Sequence, residues 1–199
     1  VDIHHAGTAM RFLTSFYAIQ EGRKTILTGS ERMKQRPIKP LVDALRELGA
    51  EINYLENEGF PPLEIHGKRI EKNFVKIPAN ISSQFITSLL LIGASLENGL
   101  EIELKGEITS RSYIKMTLKI LKDIGIESRF ERNSIKILSS ETSLYNKQLE
   151  KHFHTSKIKH YTVESDWSSA SYFYSLAAIG KKRIHLKSFY AYSLQGDSA

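Results

Sequence analysis

A chain of 199 residues that is 41% hydrophobic and 25% charged is long enough for one large domain, and its composition excludes a disordered or fibrous protein. It has no cysteine, which removes disulfides, thiolate metal sites and a cysteine nucleophile together. A net charge of +6 leaves nucleic acid or a strongly anionic small molecule as partner, and the scattered basic residues, without interleaved aromatics, disfavour nucleic acid.

The chain opens on "VDIHH", which reads as a strand that stops, followed by "AGTAMR" (Ala6 to Arg11), which reads as a helix that starts. Small residues at a helix start let a phosphate or carboxylate approach unpaired backbone N–H groups. The alternative is that Gly7 and Thr8 turn the chain and cap the helix. The helix runs on through "FLTSFYAIQEG", ends near Gly22 and gives way to a short strand.

Next comes "RPIKPLVDALRELGAEINYL". It places Ile38, Leu41, Val42, Leu45 and Leu48 on one helical face, and Gly49 ends the helix. A hairpin then joins "EINYL" to "LEIHG" across a Gly-Phe-Pro-Pro turn.

The same order returns further along. "NISSQFITSLLLIGASLENGLEIELKG" (Asn80 to Gly106) repeats the first helix and strand, and "SYIKMTLKILKDIGIESRF" repeats the second helix with Ile114, Leu118, Leu121 and Ile124. Gly49 and Gly125 lie 76 positions apart, as do Arg36 and Ser112. A second hairpin runs from "IESRF" to "SIKIL" across Glu131 to Asn133. The unit is βαβαββ, present twice in full.

A polar stretch, Ser139 to His160, then interrupts the pattern and reads as a loop or a marginal surface helix. His152-x-His154 within it, and His4-His5 at the start, are each half a metal site at most, and a solvated loop is the better reading. "ESDWSSASYFYSLAAIGKKRIHLKS" (Glu164 to Ser188) begins the unit a third time, after a short strand Tyr161 to Val163 and with a strand expected over Arg183 to Lys187. The longest apolar stretch, Phe85 to Leu96, is too short to span a bilayer, and no charged-then-apolar leader opens the sequence, which points to a soluble, cytoplasmic protein. The absence of an opening Met and the abrupt stop at "LQGDSA" lead us to expect a fragment.

Superposing the repeats gathers the special residues at turns into helices. Gly7 and Thr8 come from the first helix and Arg36 from the loop before the second. Ser82, Ser83 and Gln84 come from the third, and Ser110, Arg111 and Tyr113 from the fourth. Hydroxyls, amides, open backbone and arginine suit a phosphorylated, polyhydroxylated ligand. Each residue also has a plainer reading: Ser82 and Ser83 as helix caps, Arg36 as a surface ion pair, Tyr113 as a half-buried core aromatic.

The motifs "AGTAMR", "RMKQRPI", "SSQF" and "DWSSASYF", in this order, resemble the 5-enolpyruvylshikimate-3-phosphate synthase family, from the first residues to "LQGD" near the end. The resemblance implies an α/β fold of repeated βαβαββ units, the inside-out α/β barrel of enolpyruvyl transferases, in two lobes of three units with the substrates between them. Residues 1–164 would hold two units of the first, substrate-binding lobe, and 165–199 the start of the second. It implies transfer of the enolpyruvyl group of phosphoenolpyruvate to the 5-hydroxyl of shikimate 3-phosphate, in aromatic amino acid biosynthesis, by a monomer that needs no cofactor and no metal.

Carried over by position, phosphoenolpyruvate contacts fall on Gly7 and Arg36, with Gln84 reaching both substrates. Shikimate 3-phosphate contacts fall on Ser82, Ser83, Gln84 and Ser110, with Tyr113 beside the ring. The residues that transfer protons would lie outside this chain, leaving it no catalytic group of its own and no activity alone. His5 stands where the family usually has asparagine, and Ser112 where proline is commoner. Two rivals remain: a UDP-N-acetylglucosamine enolpyruvyl transferase, disfavoured because "TGSERMKQRP" lacks that enzyme's cysteine, and a non-catalytic nucleic-acid-binding repeat protein, supported only by charge.

Overall fold

Helix and strand alternate in the order the sequence dictates. The computed structural model describes residues 1–109, 111–139, 162–190 and 192–198. Contacts divide the chain into two units, Val1–Ser156 and Lys157–Ala199.

In the first unit the repeat is realised twice. Helix α1 (Gly7–Ala18) leads to strand β1 (Lys24–Leu27), a single turn α2 (Glu31–Lys34), helix α3 (Lys39–Leu48) and the hairpin β2 (Glu51–Tyr54) and β3 (Leu63–His66). Strand β4 (Phe74–Pro78), α4 (Ser83–Gly93), β5 (Leu100–Lys105), α5 (Arg111–Asp123), β6 (Ser128–Glu131) and β7 (Ser134–Ile137) follow. The first sheet has the order β1-β3-β2 and the second β4-β5-β7-β6. Asp2 bridges Thr28 in parallel, as β4 pairs β5 in parallel, so the two sheets share one plan.

The registers agree as well. Lys24 faces His66 in the first sheet, and Leu100 faces Ile137 in the second. Leu100, Ile102 and Leu104 alternate with Glu101, Glu103 and Lys105, which puts one face of β5 inside and the other in water. Val75, Ile77, Ile135 and Ile137 complete that inner face. Leu27, Ile52, Leu63 and Ile65 do the same in the first sheet, and α3 packs on β4, so both repeats share one core. Burying each such side chain contributes about 1.5–3 kcal/mol.

Helix α3 buries Leu41, Val42, Leu45 and Leu48, as its periodicity demands, and Gly49 ends it at φ +112°. The expected face of α5 holds at Ile114 and Leu121, with Leu118 partly buried. Ile124 does not belong to it and is 55% exposed, because α5 stops at Asp123 and the chain turns through Gly125 at φ +99°. Ile126 packs against the core instead. The turn α2 was not foreseen; Ser30 caps it by accepting from the Met33 N–H at 3.3 Å.

Strand direction fixes helix direction. Strands β4 and β5 are parallel, and β5, β7 and β6 are successively antiparallel, so β4, β5 and β6 run the same way. Helices that connect co-directional strands of one sheet must run back against them. Both α4 and α5 therefore begin at the same edge, outside the carboxyl ends of the strands.

In the second unit, helix α6 (Trp167–Gly180) is capped by Asp166, whose carboxylate accepts from the Ser168 N–H at 3.0 Å and the Ser169 hydroxyl at 2.6 Å. The Glu164 carboxylate gathers the segment around it, accepting from Trp167 Nε1 at 2.8 Å, the Tyr190 N–H at 2.8 Å, Ser193 Oγ at 2.7 Å and Gln195 Nε2 at 3.1 Å. Burial would raise this carboxyl, but the four hydrogen bonds outweigh it and bring it down to about 2. Tyr172, Leu176 and Ile179 are exposed. The expected strand Arg183 to Lys187 is not a strand, because a strand needs a ladder partner and none pairs with it among the described residues. Val163 is likewise not in a strand; Tyr161 and most of the polar stretch lie outside the described residues.

Candidate functional site

Helix α1 begins with its amides open. Its N-cap is Ala6, which has no side chain to cap with, so the opening residues are not a capping device. Gly7 is the first helical residue and is buried. A Cβ placed on it would overlap the Arg36 guanidinium and lie 2.7 Å from Arg11 Nη1. Glycine leaves this space to the arginines: two guanidinium groups close on one backbone position, and a methyl there would push them aside.

Arg36 arrives from the loop between α2 and α3, held by its N–H donating to the Met33 carbonyl at 3.0 Å. A cavity of about 540 Å³ lies against it, lined by His5, Arg32, Met33 and Arg36. Three of those four residues are basic. Among the described residues, no carboxylate pairs with either Arg36 or Arg11. The surface ion pair envisaged for Arg36 therefore does not exist there. Two like charges this close to one backbone position repel, and burial and then the Arg36 charge lower Arg11 accordingly, so the arrangement favours an anion beside them.

Helix α4 begins beside α1. The Gln84 side-chain amide donates to Thr8 Oγ1 at 2.9 Å, joining the first turns of the two helices. Deeper in, Ser15 and Ser88 hydroxyls meet at 2.5 Å, and Ser88 Oγ donates to the Arg11 carbonyl at 2.7 Å. Ser82 caps α4 by accepting from the Gln84 N–H at 3.4 Å, so its capping role is real; Ser83 makes no cap.

Helix α5 packs on α4, with Thr87 and Thr117 hydroxyls 3.3 Å apart. Those residues lie one turn beyond Ser83 and Tyr113, respectively. Tyr113 is 36% exposed, so about two thirds of it is covered, in line with the half-buried aromatic considered for it. Arg111 sits over the Phe130 ring, 4.9 Å from its centroid. Ser110 lies outside the described residues.

The structure thus brings Gly7, Thr8, Arg36 and Gln84 together and puts Ser82, Ser83 and Tyr113 on helix starts at the same edge. Sequence reasoning missed Arg11, which stands inside the opening motif but is only 5% exposed. Its position four residues after Gly7 was the available signal, since i and i+4 share a helix face. Of the two departures, His5 bonds through Nδ1 to Ser30 Oγ at 2.8 Å, which ties the opening residues to α2. Ser112 falls in the first turn of α5, where proline is also acceptable, so it leaves the helix start intact. His4 and His5 assemble no metal site, as no group of three ligating side chains forms among the described residues; His152 and His154 lie outside them. Nor is any helix among those residues long and apolar enough to cross a membrane.

Comparison with known proteins agrees with this plan. The family model of EPSP synthase (3-phosphoshikimate 1-carboxyvinyltransferase) matches residues 1–199. A 3-phosphoshikimate 1-carboxyvinyltransferase of Bacteroides fragilis is 48% identical over 200 residues, spanning 100% of this chain and 45% of that protein. One of Haemophilus influenzae is 43% identical over 198 residues, covering 97% of this chain and 42% of the relative. The chain therefore spans under half the length of these curated relatives. In fold it is similar to an EPSP synthase from Acinetobacter baumannii, with a TM-score of 0.60 at 24% identity over 70% of this chain and 30% of the other.

Proposed function

This chain belongs to the EPSP synthase family, and from that premise we propose that the whole protein transfers the carboxyvinyl group of phosphoenolpyruvate to the 5-hydroxyl of shikimate 3-phosphate, releasing phosphate. The observation that carries the reading is the paired guanidinium groups of Arg11 and Arg36 at Gly7, without a carboxylate partner among the described residues. Such a place suits a ligand bearing phosphate and carboxylate.

In this reading Gly7 and Arg36 hold phosphoenolpyruvate, and Gln84, already fixed against Thr8, touches both substrates. Ser82, Ser83 and Ser110 hold shikimate 3-phosphate, with Tyr113 beside its ring. The methylene carbon of phosphoenolpyruvate takes a proton, the 5-hydroxyl oxygen attacks the adjacent carbon, and that hydroxyl loses its proton. The tetrahedral adduct then gives up a proton from the former methylene carbon and expels phosphate, which restores the double bond. Helix starts and arginines stabilise the anionic groups throughout, by preorganised donors. No cofactor enters the scheme, and proton transfer belongs to groups beyond this chain.

We assign residues 1–164 to a substrate-binding lobe and 165–199 to the beginning of a second, in a monomeric cytoplasmic enzyme. The test is phosphate release by the complete protein from the two substrates together. Release with both substrates and none with either alone supports the reading; no release under any condition overturns it. The 199-residue chain by itself should release none.

A further inference from the structure

Most buried polar side chains of the first unit are satisfied. Thr14 Oγ1 donates to the Met10 carbonyl at 2.7 Å, Ser15 and Ser88 bond each other, and Thr117 Oγ1 donates to the Tyr113 carbonyl at 3.0 Å. The exceptions among the described residues are Thr25 Oγ1, Tyr54 OH and Arg11 Nε. Only the last belongs to a charged group.

Arg11 is 5% exposed, and the one hydrogen bond its guanidinium makes among the described residues, from Nη1 to the Gly7 carbonyl at 2.8 Å, meets a neutral acceptor. Its guanidinium also stands over the Phe85 ring at 5.7 Å. Burial and the adjacent Arg36 charge together lower it below the ordinary range for arginine. A buried charge without a counter-charge is unfavourable, and its removal ordinarily helps a fold. Nη1 atoms of both Arg11 and Arg36 lie within 3 Å of the place a Cβ on Gly7 would take, so an anion seated on the Gly7 amide would stand within the field of both.

We propose that Arg11 is a positioning residue of the anion site: it fixes the first turn of α1 through the Gly7 carbonyl, holds Arg36 outward by repulsion, and makes the occupied site more stable than the empty one. Arg11 thus works against the unliganded fold and for ligands with more than one negative charge. This deepens the proposed function and rests on it, since phosphoenolpyruvate is such a ligand.

The experiment compares the complete wild-type protein with Arg11→Met and Arg11→Lys. Melting temperature is read without ligand, with saturating inorganic phosphate and with phosphoenolpyruvate; KM is read for both substrates. Arg11→Met should melt no lower than wild type without ligand and lose about half or more of the ligand-induced rise. It should also raise KM for phosphoenolpyruvate about tenfold or more, while that for shikimate 3-phosphate changes far less. Arg11→Lys, which keeps the charge, should recover much of both effects.

An Arg11→Met protein that fails to fold, or melts lower with unchanged KM and ligand shift, makes Arg11 a structural residue and overturns the inference. Failure of lysine to recover anything overturns its electrostatic basis. Wild type that releases no phosphate sinks the proposed reaction instead, and the inorganic-phosphate shift, which needs no turnover, still decides the role of Arg11.

Discussion

Gln84 donates its side-chain amide to the hydroxyl of Thr8, and the two residues are 76 positions apart, the period of the repeat. The repeat thus meets itself at the site: equivalent first turns, from two copies of one unit, touch through their own side chains. The contact also holds the Gln84 amide at the mouth of α1. Thr8→Val removes the acceptor at nearly constant volume. In the complete protein, Thr8→Val and Gln84→Ala should couple by about 0.5–1.5 kcal/mol in kcat/KM. Strict additivity in the double-mutant cycle would deny Thr8 this task.

Gly7→Ala should act through Arg36. The backbone of Gly7 is an ordinary helical one, so alanine strains nothing locally, but its methyl occupies the place of the Arg36 guanidinium. Displacing that group should raise KM for phosphoenolpyruvate much more than for shikimate 3-phosphate, with the circular dichroism spectrum unchanged. Equal effects on both substrates would mean that the loss is general.

Arg36→Lys keeps a charge at the loop and loses the planar fork. We expect a loss on the order of 2 kcal/mol in transition-state stabilisation, seen as a fall in kcat/KM for phosphoenolpyruvate. Wild-type kinetics from this variant would leave point charge alone as the requirement.

Ser82 and Ser83 separate capping from binding. Ser82→Ala removes the α4 cap and should reduce stability by about 0.5–1 kcal/mol, toward the low end because the bond is long at 3.4 Å. Ser83→Ala removes no cap and should leave the denaturant midpoint unchanged while weakening shikimate 3-phosphate binding. A drop in stability from Ser83→Ala without loss of affinity would reverse these assignments.

Glu164 gives the second unit a pH dependence of definite sign. Its folded carboxyl is lowered from 4.5 to about 2, so its stabilisation is complete above 4.5 and is lost as pH falls through 2. The protein has one tryptophan, Trp167, and its indole donates to this carboxylate. Trp167 fluorescence should therefore report an acid transition that Glu164→Gln weakens or abolishes. An identical transition in both proteins would place the titrating group elsewhere.

What was legible in the sequence depended on the range of the interaction. Leu41, Leu45 and Leu48 announced a buried face because helical periodicity is local, and Gly49 and Gly125 announced its end. The paired sheets could be anticipated from the repeat, although the shared core of α3 and β4 could not. Arg183 to Lys187 failed for the opposite reason: its composition suits a strand, but a strand exists only when another lies beside it. At the site, Gly7 and Arg36 stood out by residue type, whereas Arg11 lies against Phe85 and bonds Ser88, both on α4 and distant in sequence. The Ser15 and Ser88 pair has no period to betray it, as its members are 73 positions apart.

That serine pair acts as a detent between two helices. Suppose α1 slid along α4 by one turn, about 5.4 Å. The two hydroxyls would lose each other, and Ser88 would lose the Arg11 carbonyl, at a cost of about 1–3 kcal/mol for each hydroxyl left buried without a partner. Sliding is therefore resisted from the first small displacement, because both bonds are broken by it. The spacing between the mouths of α1 and α4 is consequently set from below, by two small side chains that no ligand need touch. Replacing either serine would loosen that spacing, even with every residue at the surface left in place.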